Sequence, residues 1–189
     1  MNECHGRIGC AERYARAAGN VVLVGFRGTG KSSVAELVAM ATDRGVFHMD
    51  ATISERAGSS IPEFVERRGW DAFWALESEV ADEAAKTKNT VIDTGGGVIR
   101  RDENMTSLKS TGSVFWLTAH ATTIKERIRD ETHRPSLTGR KSFLDEVDEI
   151  LEAREPVYAR YADYIIETDG RTLSEIANDI IHIVCGGIP

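Results

Sequence analysis

The sequence predicts an α/β fold, a three-layer α/β/α sandwich around a five-stranded parallel sheet. Three observations predict it. Five short apolar runs, at residues 21–24, 46–49, 90–93, 114–117 and 164–167, alternate with stretches of helical periodicity. The connections between them are long enough for helical crossovers, as parallel strands require. The first run leads directly into a glycine-rich turn and then a helix, with Gly25-Phe26-Arg27-Gly28-Thr29-Gly30-Lys31-Ser32 in the turn.

That turn carries the first chemistry. Glycines let backbone N–H groups converge on a phosphate chain, and the following helix aims its positive end at the same point. Val34, Leu37, Val38 and Ala41 give that helix its buried face. Gly28, Thr29, Gly30, Lys31, Ser32 and Ser33 are therefore the expected phosphate cradle, with Lys31 as the cation and Ser32 as a hydroxyl ligand for Mg²⁺.

After Asp43-Arg44-Gly45, which reads as a turn, the second strand ends at Asp50, where ligands of open α/β sheets sit. A helix is predicted from Ile53 to Gly58. Ser60 and Glu63 form a capping box for a second helix ending at Gly69, and a third follows through Phe73, Leu76, Val80 and Ala84. No strand interrupts residues 53–87, which predicts an inserted helical unit. The third strand runs into Thr94-Gly95-Gly96-Gly97, whose glycines are expected to admit a ligand close to the backbone. After the fourth strand, residues 121–130 read as a helix carrying Lys125, Arg127 and Arg129. Residues 131–141, polar and basic with no apolar period, are the expected mobile lid. Helices at 142–154 and from Pro156, the fifth strand, and a closing amphipathic helix at 172–184 complete the chain.

Composition narrows the partners. The 189 residues suit one domain, expected over 20–189 with an extension at 1–19 that holds a short helix over 11–18 closed by Gly19. Net charge is −7 at pH 7, which disfavours a general nucleic-acid surface. No apolar run has the length of a membrane span, and the N-terminus lacks the apolar core of a secretory signal. Cys4, Cys10 and Cys185 read as reduced thiols, which places the protein in the cytoplasm; Cys4, His5 and Cys10 lack a fourth metal ligand. The expected partners are small molecules, with no nucleic acid and no membrane, and the expected state is a monomer.

In their order and spacing these residues resemble the shikimate kinase family, small relatives of the nucleoside-monophosphate kinases within the P-loop enzymes. The resemblance runs from about Val21 to Val184. It rests on the loop at residues 25–32, Asp50, Gly58-Ser59-Ser60-Ile61, Gly69 with Phe73 and Glu77, and Gly95-Gly96-Gly97. Arg134-Pro135-Ser136-Leu137 and Arg154-Glu155-Pro156-Val157-Tyr158 complete it. It implies a P-loop kinase fold of strand order 2-3-1-4-5, a substrate-binding helical unit at about 50–88, and a lid. It also implies ATP- and Mg²⁺-dependent phosphorylation of the shikimate 3-hydroxyl, in aromatic amino-acid biosynthesis. Carried over, Lys31 and Ser32 serve the phosphates and Mg²⁺, and Asp50 orients the attacking hydroxyl. Gly95, Gly96 and Gly97 line the substrate pocket, and Arg154 holds the carboxylate. Arg134 meets the transferring phosphoryl group from the lid, while Arg127 and Arg171 flank adenine.

Two positions depart from the family. His48 stands where the first aspartate of an Asp-x-Asp pair is usual, leaving Asp93 as candidate holder of a magnesium water. Trp74 stands where the family carries a second carboxylate-binding arginine. Arg67, Arg68, Arg100 and Arg101 are candidates for the missing charge, though any one of them reads more readily as solvated surface charge. Trp74 itself reads either as a core aromatic or as a flat wall for a substrate ring. The departures keep two rivals in view. One is a kinase of the same scaffold for another polyol or hydroxy acid. The other is a catalytically weak regulator that binds nucleotide or shikimate. A nucleotide-hydrolysing partner of a larger assembly is disfavoured by the short chain.

Overall fold

A computed structural model describes residues 19–129 and 143–186. Residues 1–18 of the extension and the whole segment assigned as the lid, 131–141 with Arg134, lie outside the described residues. The chain folds as β1 (Asn20–Val24), α1 (Lys31–Thr42), β2 (Gly45–His48), α2 (Met49–Ala57), α3 (Ile61–Lys86) and β3 (Thr90–Asp93). A single 3₁₀ turn (Val98–Arg100) follows, then α4 (Asp102–Lys109), β4 (Gly112–Thr118), α5 (Ala121–Arg127), α6 (Phe143–Tyr161), β5 (Tyr164–Glu167) and α7 (Leu173–Val184).

The five strands form one parallel sheet of order β2-β3-β1-β4-β5. Its central strands are apolar on both faces because both faces are covered. Val21 and Leu23 of β1 pack with Val91, Phe115 and Leu117 against α1 and α7, through Val34, Val38, Ile176 and Ile180. Val22 and Val24 pack with Ile92 and Val114 on the opposite side, against Val80, Ala84, Met105, Leu108 and Tyr158. Burying each such Val, Ile or Leu contributes roughly 1.5–3 kcal/mol. A third cluster, Phe26, Ile124, Ile128, Val147 and Leu151, fastens α5 and α6 beside the glycine-rich loop. Among the described residues no helix is long and apolar enough to cross a membrane.

Several boundaries differ from the sequence reading. The second strand stops at His48, and Met49 and Asp50 open α2, because Met49 is fully buried as a helix residue beneath the sheet end. The capping box on Ser60 forms, and Gly69 interrupts α3 as the sequence predicts: at φ 80° and ψ 168° it is not helical, and two helical segments meet there at a kink. By contrast, α6 runs through Pro156, since the buried Val147, Leu151 and Tyr158 hold both halves on one apolar stripe. The helix at 121–130 is shorter than expected, closing at Arg127. The 3₁₀ turn and α4 had no counterpart in the sequence reading; α4 is short and buries only Asn104, Met105 and Leu108.

Candidate active site

The β1 strand delivers the chain into the phosphate loop at the carboxyl edge of the sheet. Gly30 closes the loop as the residue before α1, at φ 87°, a left-handed conformation that a side chain would strain. The Lys31 side chain is buried and curls over the loop, where its ammonium donates to the Gly25 and Phe26 carbonyls at 3.0 Å each. The Thr29 hydroxyl donates to the Phe26 carbonyl at 2.8 Å and fixes the turn. Gly28, Gly30, Lys31, Ser32 and Ser33 border one hollow, as the sequence predicts. Asp93 and Asp50 border it from the far side.

Arg127 ties α5 to this loop. Its guanidinium donates to the Gly28 carbonyl at 3.1 Å and to the hydroxyl and carbonyl of Thr168 at 3.0 and 2.9 Å. Arg171 lies just before α7, donating to the Glu167 and Glu175 carbonyls and pairing with Asp179 at 2.7 Å.

The ends of β2 and β3 lie in register, with His48 opposite Asp93. The His48 ring contacts Asp93 Oδ2 at 2.9 Å through Nδ1 and Glu36 Oε1 at 2.8 Å through Nε2. Burial pulls the imidazole pKa down, but the hydrogen bonds and negative charge of Asp93 and Glu36 outweigh it and raise it. Ser32 and Asp93 are hard oxygen donors bordering the same hollow. That set fits Mg²⁺, which is usually held by one or two protein ligands plus water and phosphate. Among the described residues no cluster of three or more His, Cys, Asp or Glu suggests a fully protein-bound metal.

A second cavity opens beside the first. The Thr94 hydroxyl donates to the Leu23 carbonyl at 2.9 Å, which turns the triple glycine across the top of β1. A Cβ at Gly95 would lie 2.5 Å from Asp50 Oδ1 and 3.4 Å from Glu77 Oε1, so any side chain there must displace the Asp50 carboxylate. Asp50, Arg27 and Gly96 border both the phosphate hollow and this cavity, so the two spaces meet at the Asp50 carboxylate.

The walls of the second cavity come mainly from α3. Phe73 and Trp74 line it, with Trp70 edge-on to Phe73 and stacked on Trp74 at 6.0 Å. The polar groups around it come from three elements. Arg154 of α6 donates to the Gly96 carbonyl at 2.9 Å and sits over the Phe26 ring at 5.6 Å. One helical turn on, the Tyr158 hydroxyl donates to the same carbonyl at 2.7 Å. Arg100 places its guanidinium 4.5 Å from the Trp74 ring centroid. Glu77, only 2% exposed, completes the set. Burial first, and then the charge of Asp50, push its carboxyl up to about 7 against the pull of Arg154, Arg100 and Arg101.

The structure therefore brings together Lys31, Ser32, Asp50, Asp93, the three glycines, Trp74 and Arg154, as the sequence led one to expect. Of the four arginines considered as replacements at the Trp74 position, only Arg100 lines the cavity. Arg67 is exposed and donates to the Glu63 carbonyl, Arg68 is exposed, and Arg101 donates to the Ser78 hydroxyl at 3.2 Å. Arg27 and Glu77 were not singled out as site residues. Glu77 carried a usable signal, since it follows Phe73 by four residues and shares its helix face.

The shikimate kinase family model matches residues 27–185. A shikimate kinase of Thermodesulfovibrio yellowstonii is 40% identical over 162 residues, covering 86% of this chain and 92% of that protein. One from Caldanaerobacter subterraneus is 36% identical over 162 residues, covering 86% and 94%. Among solved structures, the shikimate kinase of Acinetobacter baumannii in complex with shikimate superposes with a TM-score of 0.83 at 29% identity, covering 89% of this chain and 93% of that one. A glycine-rich phosphate loop, an adjoining arginine-lined cavity, and this breadth of similarity lead to one conclusion: the chain belongs to the shikimate kinase family.

Proposed function

We propose that the protein transfers the terminal phosphoryl group of ATP to the 3-hydroxyl of shikimate. The observation that carries this reading is the junction of the two hollows at Asp50, Arg27 and Gly96. A phosphate chain on one side and a hydroxylated acid on the other would meet there. The family membership supplies the identity of the two substrates.

The chemistry asks mainly for positioning and charge neutralisation, because the phosphoryl group passes through a loose transition state. The loop N–H groups and Lys31 hold the phosphates. Lys31 would exchange its contacts to the Gly25 and Phe26 carbonyls for phosphate oxygens, in a site where buried charge-assisted bonds are strong. Mg²⁺, when bound, neutralises charge on the phosphate oxygens, with Ser32 and Asp93 as its protein partners. Asp50 accepts a hydrogen bond from the attacking hydroxyl and turns its lone pair toward the phosphorus. Gly95 leaves the room Asp50 needs. Arg154, fixed by Gly96, pairs with the substrate carboxylate. In this reading the helical unit at about 50–88 binds the substrate within one catalytic domain, and the enzyme works as a cytoplasmic monomer.

A coupled ADP-release assay with ATP·Mg²⁺, with and without shikimate, tests the reading, and ³¹P NMR identifies the product. Shikimate-dependent ADP and the 3-phosphate are expected. ADP release unaffected by shikimate, with nucleotide still bound, would refute it. Trp74, in the acceptor cavity where the family carries an arginine, favours a second reading, a kinase for a different hydroxy acid. A panel of hydroxylated acceptors separates the two.

A further inference from the structure

Two guanidinium groups face one apolar-walled cavity. Arg154 is held from α6 by the Gly96 carbonyl. Arg100 comes from a different element, the 3₁₀ turn that follows the triple glycine, and holds its guanidinium carbon over the Trp74 ring, 4.5 Å from the centroid. Trp74 is itself backed by Trp70, with the rings inclined by only 24°. This cation–π contact restrains a side chain that would otherwise sample many rotamers.

Two like charges drawn toward one partly desolvated space are unfavourable until an anion arrives. The strain is visible on Arg100, whose pKa is lowered by burial and by the charge of Arg154. Glu77 only partly relieves it, because its carboxyl titrates near neutrality, at about 7. The cavity thus presents a paired cation with a flat aromatic floor. A ring compound bearing one carboxylate matches it in charge and shape.

We propose that Arg100 binds the substrate carboxylate together with Arg154, and that Trp74 is the platform that aims it. The positive charge absent from position 74 of α3 enters from the 3₁₀ turn instead. This inference rests on the shikimate reading above and names the residue that gives this chain its acid specificity.

The test uses Arg100→Leu in the full chain. Arg100 is an exposed residue, so the substitution leaves the core untouched. A lost charge-assisted hydrogen bond corresponds to about a ten- to hundredfold rise in KM for shikimate. KM should carry more of the loss than kcat, and KM for ATP should not move. Shikimate methyl ester, which lacks the charge, should bind the unaltered protein weakly and bind Arg100→Leu no more weakly. The double variant Trp74→Arg with Arg100→Leu should regain much of the lost shikimate affinity. Unchanged KM for shikimate in Arg100→Leu, or equal discrimination between acid and ester in the two proteins, would overturn the inference while the unaltered enzyme still turns shikimate over. Failure of the unaltered protein itself to use shikimate would instead overturn the substrate reading, and this inference with it.

Discussion

Glu77 is a buried acid whose proton should be visible in the pH dependence of stability, and Glu77→Gln isolates it. Its carboxyl is lifted from the ordinary 4.5 to about 7, chiefly by burial and then by Asp50. Below 4.5 the folded and unfolded chains both hold the proton, and the group adds no pH dependence. Between 4.5 and about 7 only the folded chain holds it, so unfolding releases a proton and stability falls as pH rises. Above about 7 both forms are ionised and the full penalty stands. At about 1.4 kcal/mol per pH unit, the window from 4.5 to about 7 amounts to roughly 3 kcal/mol. Glutamine keeps the volume and never ionises. The variant should therefore match the wild type near pH 4 and exceed it by up to roughly 3 kcal/mol near pH 8.5, or about 6–12 °C in Tm for a chain of this size. Thermal melts of the ligand-free proteins across that range measure it. A difference between the two that is the same at every pH would refute the reasoning, because a contact effect does not titrate.

Three further outcomes follow from the site. Gly95→Ala should leave circular dichroism and ATP affinity unchanged but lower kcat about a hundredfold, because its Cβ, 2.5 Å from Asp50 Oδ1, displaces that carboxylate by a large fraction of an ångström; wild-type kcat would remove Asp50 from the role assigned to it. Asp93→Asn should raise the Mg²⁺ concentration needed for half-maximal rate and weaken Mg²⁺-dependent nucleotide binding, and an unchanged Mg²⁺ titration would sink the assignment. Lys31→Met should weaken ATP binding by about 1.5–3 kcal/mol, roughly ten- to a hundredfold by calorimetry, with little effect on shikimate binding; equal losses for both ligands would point to general unfolding of the loop.

What was legible from sequence was contiguous. Residues 25–32 carry their own geometry, since glycine spacing, strand and helix lie within one stretch of chain. The strands showed because a sheet covered on both faces demands uninterrupted apolar runs, and Ser60 with Glu63 announced a helix start because the capping box is local. Gly69 likewise breaks the helical run where its propensity says it should. Where a local signal misled, packing outweighed it: Pro156 is a helix breaker by propensity, yet α6 continues through it. The sequence by itself thus determined the α/β class, the phosphate loop and most of the residues assigned to the site. Only the tertiary structure decided which of four arginines reaches the cavity, because α3 and the 3₁₀ turn are separate elements whose relative placement is set by packing against the sheet. Only burial lifted the Glu77 carboxyl to about 7, since a carboxyl group's pKa depends on the water removed around it and on charges brought near by folding.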